Sequence, residues 1–422
     1  MEIQKVRALV LCGGGALGSY EVGAWKALRE LGYHFDIVTG TSIGALNGAF
    51  VAIDQFDECL SLWNTVSVDK VMKDGFSLDK NIARYLKHIL KMGALRRTLR
   101  RFIRLKGADI TPFRELCKKH IKVELFKDLK TQFGVVCCSY PSFKERFVLV
   151  NALEEKFILP FLHASSACYP VFPKEIIGKR TFVDGGYKNN LPIDFALKLG
   201  ANDIIAIGLN GIPKVPQRLY LAKLPFVTLV FPHEHLGSFM DFSQETIQRN
   251  MILGYNDTMK RFKRYLGHKY TFQPDPLVTK MADIFLMNLS KDNVGLLKEL
   301  SHLVEIVEKD GKDKVDYLIT VMEYFATYAK LPTTPVYKIT DMVSEIDNFF
   351  EAKRFNFLGK ELPAAKRFLS GSLGLVNFVN YFKTCIKTKQ PLAPDLVKRI
   401  NNPYYWIAYS LYLTFDELNL LG

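Results

Sequence analysis

Apolar positions change their period repeatedly along the first sixty residues, and each change marks an element. Val6–Cys12 is a short, nearly continuous apolar run, the pattern of a buried strand, and it breaks at once into Gly13–Gly18. From Tyr20 to Leu31 the residues Val22, Trp25, Leu28 and Leu31 recur every third position, which lays them on one face of a helix that Gly32 ends. Phe35–Val38 reads as a second strand, Gly40–Gly44 as a turn, and an apolar helix follows from Ala45. Strand, turn and helix repeated in this order predict a parallel α/β sheet with helices packed on it.

Further strands are predicted at Phe133–Cys138, Arg146–Val150, Thr181–Val183 and Asp203–Leu209, with Gly178-Lys179 turning between the arms of a hairpin. The sheet is expected to end near residue 210. Beyond about residue 285 the period becomes helical, at Val294, Leu297, Leu300, Val304 and Val307 and again at Tyr317, Leu318, Val321 and Tyr324. The expected organisation is an α/β domain over residues 1–285 and a helical C-terminal extension over 286–422.

With 48% hydrophobic residues in 422, the chain can bury a large core and a smaller second one, and is not disordered. The segment Met1–Val22 lacks a basic head and a long apolar run, so no secretory signal is expected. Uncharged runs such as Phe157–Pro173 are interrupted by His, Ser and Pro, so no stretch supplies the roughly 20 apolar residues of a spanning helix. Seven scattered cysteines without a C-x-x-C pair argue against a disulfide framework or a zinc site. A cytoplasmic protein is expected, one that can attach peripherally to the inner face of a membrane. The net charge of +14 draws it to polyanions, whether nucleic acid or anionic lipid.

Three glycine-containing motifs carry the chemistry. Gly40-Thr41-Ser42-Ile43-Gly44 is a G-x-S-x-G between a strand and a helix, where a serine on a tight turn exposes its hydroxyl at the carboxyl end of the sheet. Gly13-Gly14-Gly15-Ala16-Leu17-Gly18 joins the first strand to its helix and also spells G-x-G-x-x-G. As a dinucleotide site it needs an acidic residue closing the second strand, whereas Asp36 stands near that strand's start. In a hydrolase the amides of Gly13, Gly14, Gly15 and Ala16 would instead form an oxyanion hole, and a tight turn for helix packing is the plainer alternative. Asp184-Gly185-Gly186 follows the strand Thr181–Val183, so Asp184 faces the same sheet edge as Ser42, although such an Asp can also merely bond its own loop.

In this order and spacing the three motifs resemble those of the patatin-like phospholipases. Ala164-Ser165-Ser166-Ala167, Pro170 and Phe172-Pro173 ahead of Asp184, and Asn190-Leu191-Pro192 after it, are similar as well, so the likeness spans roughly residues 6–210. Leu17 and Ile43 depart from it, standing where a basic residue and an alanine are common. The resemblance implies a patatin-like parallel-sheet core and a Ser–Asp dyad in which Asp184 takes the proton of Ser42 directly. The same resemblance implies hydrolysis of lipid esters, of the phospholipase A or lysophospholipase type, through an acyl-enzyme on Ser42 and with no metal or organic cofactor. Acyl transfer to another alcohol, or an idle hydrolase fold at a membrane surface, are the alternatives.

His233, His235, His268 and His302 follow Asp184 and offer a histidine base in the order Ser, Asp, His. His233-Glu234-His235 has no third ligand beside it to suggest a metal and reads as a solvated or capping feature. From Lys80 to Ala108 no acidic residue occurs, while Arg96, Arg97, Arg100 and Arg101 are interleaved with Leu95, Leu99, Phe102 and Ile103. This is a basic amphipathic segment suited to anionic lipid, or else a helix packed on the sheet with its charged face in water. No aromatic stacking platform or recognised motif accompanies the charge, so nucleic acid is not the expected partner.

Overall fold

The computed structural model describes residues 4–73, 107–209, 220–292, 313–353, 374–394 and 402–421. The first predicted strand lies in the interior of an eight-stranded sheet built from β1 (Arg7–Leu11), β2 (Ile37–Thr41), β3 (Gln132–Tyr140), β4 (Lys144–Leu149), β5 (Glu175–Ile177), β6 (Arg180–Asp184), β7 (Asp203–Ile207) and β8 (Val227–Val230). The order is β5-β6-β3-β2-β1-β7-β8, with β4 paired to β3. β3, β2, β1, β7 and β8 run parallel, β4 and β6 pair antiparallel with β3, and β5 pairs antiparallel with β6. β1 and β2 are buried on both faces, which is why they read as continuous apolar runs. The helices that follow them are α1 (Ser19–Glu30) and α2 (Ile43–Ala52), and α3 (Phe56–Thr65) comes next.

Two differences from the sequence pattern have local causes. The sheet does not end near residue 210, because β8 pairs Val227–Val230 with Ile204–Ile207 of β7. That strand is four residues flanked by Pro225 and Pro232, too short to show a period. Asp36 has a structural task, since its carboxylate accepts the Arg7 amide at 2.8 Å and fixes the start of β1, at the end of the strand away from the glycine loop.

The register along β3 determines what meets what. Residues 134–136 of β3 pair with β2 on one edge and β4 on the other, and residues 137–139 pair with β6 and β4. β2 and β6 therefore share one edge of β3 and run toward each other. Val136 faces Thr41, the last residue of β2, and Cys137 faces Asp184, the last residue of β6. The two carboxyl ends meet there.

The chain divides into two compact units, Met1–Arg261 and Phe262–Gly422. The division falls before the change of period near residue 285, because Val278, Met281, Ala282, Phe285 and Leu289 of the helix Pro276–Asp292 belong to the second unit's core. That unit contains the helices Lys314–Tyr328, Ile339–Ala352, Gly374–Thr388 and Pro403–Glu417, packed around Met322, Phe325, Phe350 and Tyr412. In Lys314–Tyr328 the inward stripe is Leu318, Val321, Met322 and Phe325, while Tyr324 faces outward. The predicted period Val294–Val307 and the basic residues from Lys80 through Lys106, including Arg96, Arg97, Arg100 and Arg101, lie outside the described residues. No helix among the described residues is long and apolar enough to cross a membrane.

Candidate active site

Ser42 stands between β2 and α2 with φ 56° and ψ −123°, in left-handed space that a residue with a Cβ rarely adopts. The turn holds because the chain on either side can come close. A Cβ on Gly40 would lie 2.2 Å from the Gly44 carbonyl oxygen, and one on Gly44 would lie 2.6 Å from Leu11. The Ser42 amide donates to Ser165 Oγ at 2.8 Å, and that hydroxyl in turn donates to the Val136 carbonyl at 2.6 Å. Ser165 thereby pins the elbow to β3 at the place where β2 and β6 meet.

Because Asp184 closes β6 at that junction, its carboxylate reaches the serine. Ser42 Oγ donates to Asp184 Oδ2 at 2.7 Å, and the Gly186 amide donates to Oδ1 at 2.7 Å. Burial pushes the Asp184 carboxyl up from 3.8 to about 6, against the lowering effect of these two hydrogen bonds. The group is thus charged at neutral pH yet basic enough to take a proton. Gly185 and Gly186 pack the turn against Val136 and Asn190, where a Cβ would come within 2.3 Å and 2.8 Å.

The glycine loop sits opposite. The Gly13 amide donates to the Asn190 carbonyl at 3.0 Å, and the Ala16 amide donates to the Phe239 carbonyl at 2.8 Å. Both are already satisfied. Of the four amides expected to serve an oxyanion, only those of Gly14 and Gly15 have no acceptor among the described residues. Asn190 Nδ2 also donates to the Gly13 carbonyl at 2.8 Å, so the loop after Asp184 grips the glycine loop from both sides of one residue. Gly18 packs where a Cβ would meet Ile43 at 2.5 Å, holding the loop against α2.

A cavity of about 610 Å³ opens at this point, with Gly14, Gly15, Ser42 and Asp184 in its wall and apolar side chains such as Leu46, Phe50, Trp63, Phe113 and Phe242 around the rest. No histidine among the described residues lines it. His233 Nδ1 lies 3.3 Å from Asp257, and His235 Nδ1 accepts the Gly237 amide at 2.9 Å. His302 lies outside the described residues. Beneath the loop, Glu21 accepts the Cys12 amide at 2.7 Å and Asn47 Nδ2 at 2.8 Å, and Asn47 accepts the indole N–H of Trp63 at 2.9 Å. Burial pushes Glu21 up to about 8. Glu21, Asn47, Trp63 and Phe239 carried no motif that a single sequence reveals, whereas Ser165 stands in the segment Ala164–Ala167 that resembles the family.

Gly15 has φ +58°, and a Cβ there would meet the Phe239 carbonyl oxygen at 2.3 Å. Gly15→Ala is expected to destabilise the protein by about 1–3 kcal/mol and to displace the Phe239 segment from the loop. Thermal denaturation checks this, and an unchanged midpoint would show that the two segments do not meet as drawn.

Residues 9–197 match the family model described as patatin-like phospholipase. This stretch, a little under half of the chain, is similar to the patatin-like phospholipases, a class of lipid ester hydrolases. Among its relatives, a "cUMP-AMP-activated phospholipase" from Escherichia coli is 26% identical over 250 residues, covering 51% of this chain and 69% of the relative. "Patatin-like phospholipase domain-containing protein 7" of Rattus norvegicus is 30% identical over 205 residues, covering 48% of this chain but only 14% of that much longer protein. Among solved structures, VipD from Legionella pneumophila aligns over 96% of this chain and 92% of its own, with a TM-score of 0.41 and 14% identity.

Proposed function

We propose that this protein is a lipid acyl hydrolase of the phospholipase A or lysophospholipase type, with Ser42 as nucleophile and Asp184 as general base. The observation that carries the reading is the 2.7 Å hydrogen bond from Ser42 Oγ to the buried Asp184 carboxylate, at the wall of an apolar cavity. As Ser42 Oγ attacks the ester carbonyl its proton passes to Asp184, and the amides of Gly14 and Gly15 receive the developing oxyanion. Asp184 then returns the proton to the leaving alkoxide. In the second half, Asp184 takes a proton from water as its oxygen attacks the acyl carbon, and returns that proton to Ser42 Oγ as the bond to the acyl group breaks and the fatty acid leaves. Mass spectrometry of the products from mixed phospholipids and neutral glycerides tests the reading. Fatty acid and lysolipid released by the parent but not by Ser42→Ala are expected, and equal release by both would overturn it.

The cavity also bears on chain length. Ser42, Ile43, Leu46, Asn47 and Phe50 all line it and form one stripe of α2. At about 1.5 Å of rise per residue, Phe50 lies roughly 12 Å along the helix from the nucleophile. Its ring is buried and closes that part of the wall. Phe50→Leu is expected to shift preference from octanoyl toward palmitoyl esters, read as the ratio of kcat/KM values for the two. Phe50→Ala should do so more strongly, at a stability cost of about 3–5 kcal/mol. An unchanged ratio in Phe50→Leu would place the acyl chain elsewhere.

A further inference from the structure

A chain of aromatic side chains leads from the cavity to the far edge of the sheet. Tyr187 lines the cavity and is 42% exposed. Its ring meets that of Phe143 edge-on at 5.3 Å, Phe143 meets Tyr140 at 5.8 Å, and Tyr140 meets Tyr169 at 5.7 Å. The Tyr187 hydroxyl donates to the Tyr169 carbonyl, which closes the ring of contacts. On the sheet, Tyr140 pairs with Thr181 and Thr181 with Ile176, so these three side chains share one face. Ile176 is 71% exposed, the most exposed large hydrophobic residue among those described. Edge strands ordinarily avoid such a side chain because it invites association.

The charge around this patch is predominantly positive. Lys174 places its ammonium 4.0 Å from the centre of the Tyr140 ring and 5.0 Å from that of Tyr169. Lys179 lies in the turn of the hairpin and Lys188 follows Tyr187, whereas the register turns Lys144, Arg146 and Arg180 to the other face of the sheet. Of the acids there, Glu175 is buried and paired with Arg114, and Asp184 is buried beside Ser42. Glu145, paired with Cys138, is the one acid that shares the face of Tyr140 among the described residues of these strands. Exposed aliphatic surface, tyrosines and lysines that keep their ammonium groups outward are the side-chain set of a membrane–water interface, and the positive sign selects anionic lipid.

We propose that the β5–β6 hairpin and the tyrosine cluster form a docking surface that lays the cavity mouth at Tyr187 against an anionic bilayer. The choice of occupant rests on the lipid acyl hydrolase reading together with this charge. Ile176 and the rings would enter the headgroup region while the cations meet lipid phosphates and carboxylates. An acyl chain leaving the bilayer would then pass Tyr187 into the cavity.

Co-sedimentation with vesicles tests the surface. The probes are phosphatidylcholine alone and phosphatidylcholine mixed with phosphatidylserine, and the proteins are the parent, Ile176→Asp, the double variant Lys174→Glu/Lys179→Glu, and Ser42→Ala. The double variant is expected to lose at least roughly tenfold in binding to the anionic vesicles. Ile176→Asp should weaken binding to both kinds, and neither variant should lose hydrolysis of soluble butyrate esters or its thermal midpoint. Ser42→Ala should bind as the parent does, so a failure of the hydrolase reading appears as product release by Ser42→Ala and leaves the binding result legible. Parent-like binding by both surface variants would overturn the proposal. It would equally be overturned by a parent dimer in gel filtration that Ile176→Asp abolishes while vesicle binding stays unchanged, since the edge would then serve another copy of the chain.

Discussion

Ser42→Ala lowers ester hydrolysis by at least roughly 10⁴-fold and abolishes labelling by a serine-reactive phosphonate, because the covalent route runs through the hydroxyl that Ser42 donates to Asp184. The fold is expected to survive. Alanine keeps a Cβ at φ 56°, so the strain of the elbow is neither added to nor relieved, and the amide still reaches Ser165 Oγ. Ser42→Gly separates the two effects. It is equally inactive, but it removes the Cβ from the left-handed position and should raise the thermal midpoint relative to Ser42→Ala. Steady-state kinetics and thermal denaturation of the two variants check this, and residual turnover of a short-chain ester by purified Ser42→Ala would falsify the assignment of the nucleophile.

Asp184→Asn is expected to cost about 10⁴-fold in kcat, since an amide cannot take the Ser42 proton. The parent's activity should rise with pH through about 6, where burial has placed the carboxyl. Stability runs the opposite way. A carboxyl whose native value is raised from 3.8 to about 6 binds its proton more tightly folded than unfolded. Its contribution is fully present below pH about 4 and is lost as pH rises through 6. At neutral pH the parent therefore carries a buried charge that Asp184→Asn lacks. The variant's midpoint should equal or exceed the parent's at pH 8, with the gain disappearing in acid. His233→Ala and His235→Ala should keep near-parental activity, because neither residue lines the cavity. A histidine variant as inactive as Asp184→Asn would show that the base is wrongly assigned.

The elements that carry the motifs were legible in the chain because their signals are local. The period of Val22, Trp25 and Leu28 marks α1, and observed Arg7–Leu11 and Ser19–Glu30 fall within a residue or so of the predicted spans. The glycines around Ser42 and after Asp184 are likewise local, since each answers a steric demand of its own turn. The proline-bounded β8 was not legible, and neither was the boundary at Arg261, because a helix's apolar stripe does not say which core receives it.

The meeting of Ser42 with Asp184 belongs to tertiary structure. It depends on β2 and β6 sharing one edge of β3 with Thr41 and Asp184 at adjacent positions, and a shift of register by one residue would turn the side chains to the other face. The loop Gly13–Ala16 shows the same division. Its glycines announce a close approach of backbone, but which amides stay free is set by the carbonyls of Asn190 and Phe239, which arrive from far along the chain and take those of Gly13 and Ala16. Satisfying a donor is a property of a pair of groups, and one sequence holds only the partners without their distances. The raised pKa of Asp184 follows the same logic, because the loss of solvent that causes it comes from every segment packed around the carboxylate and from none of its neighbours in sequence alone.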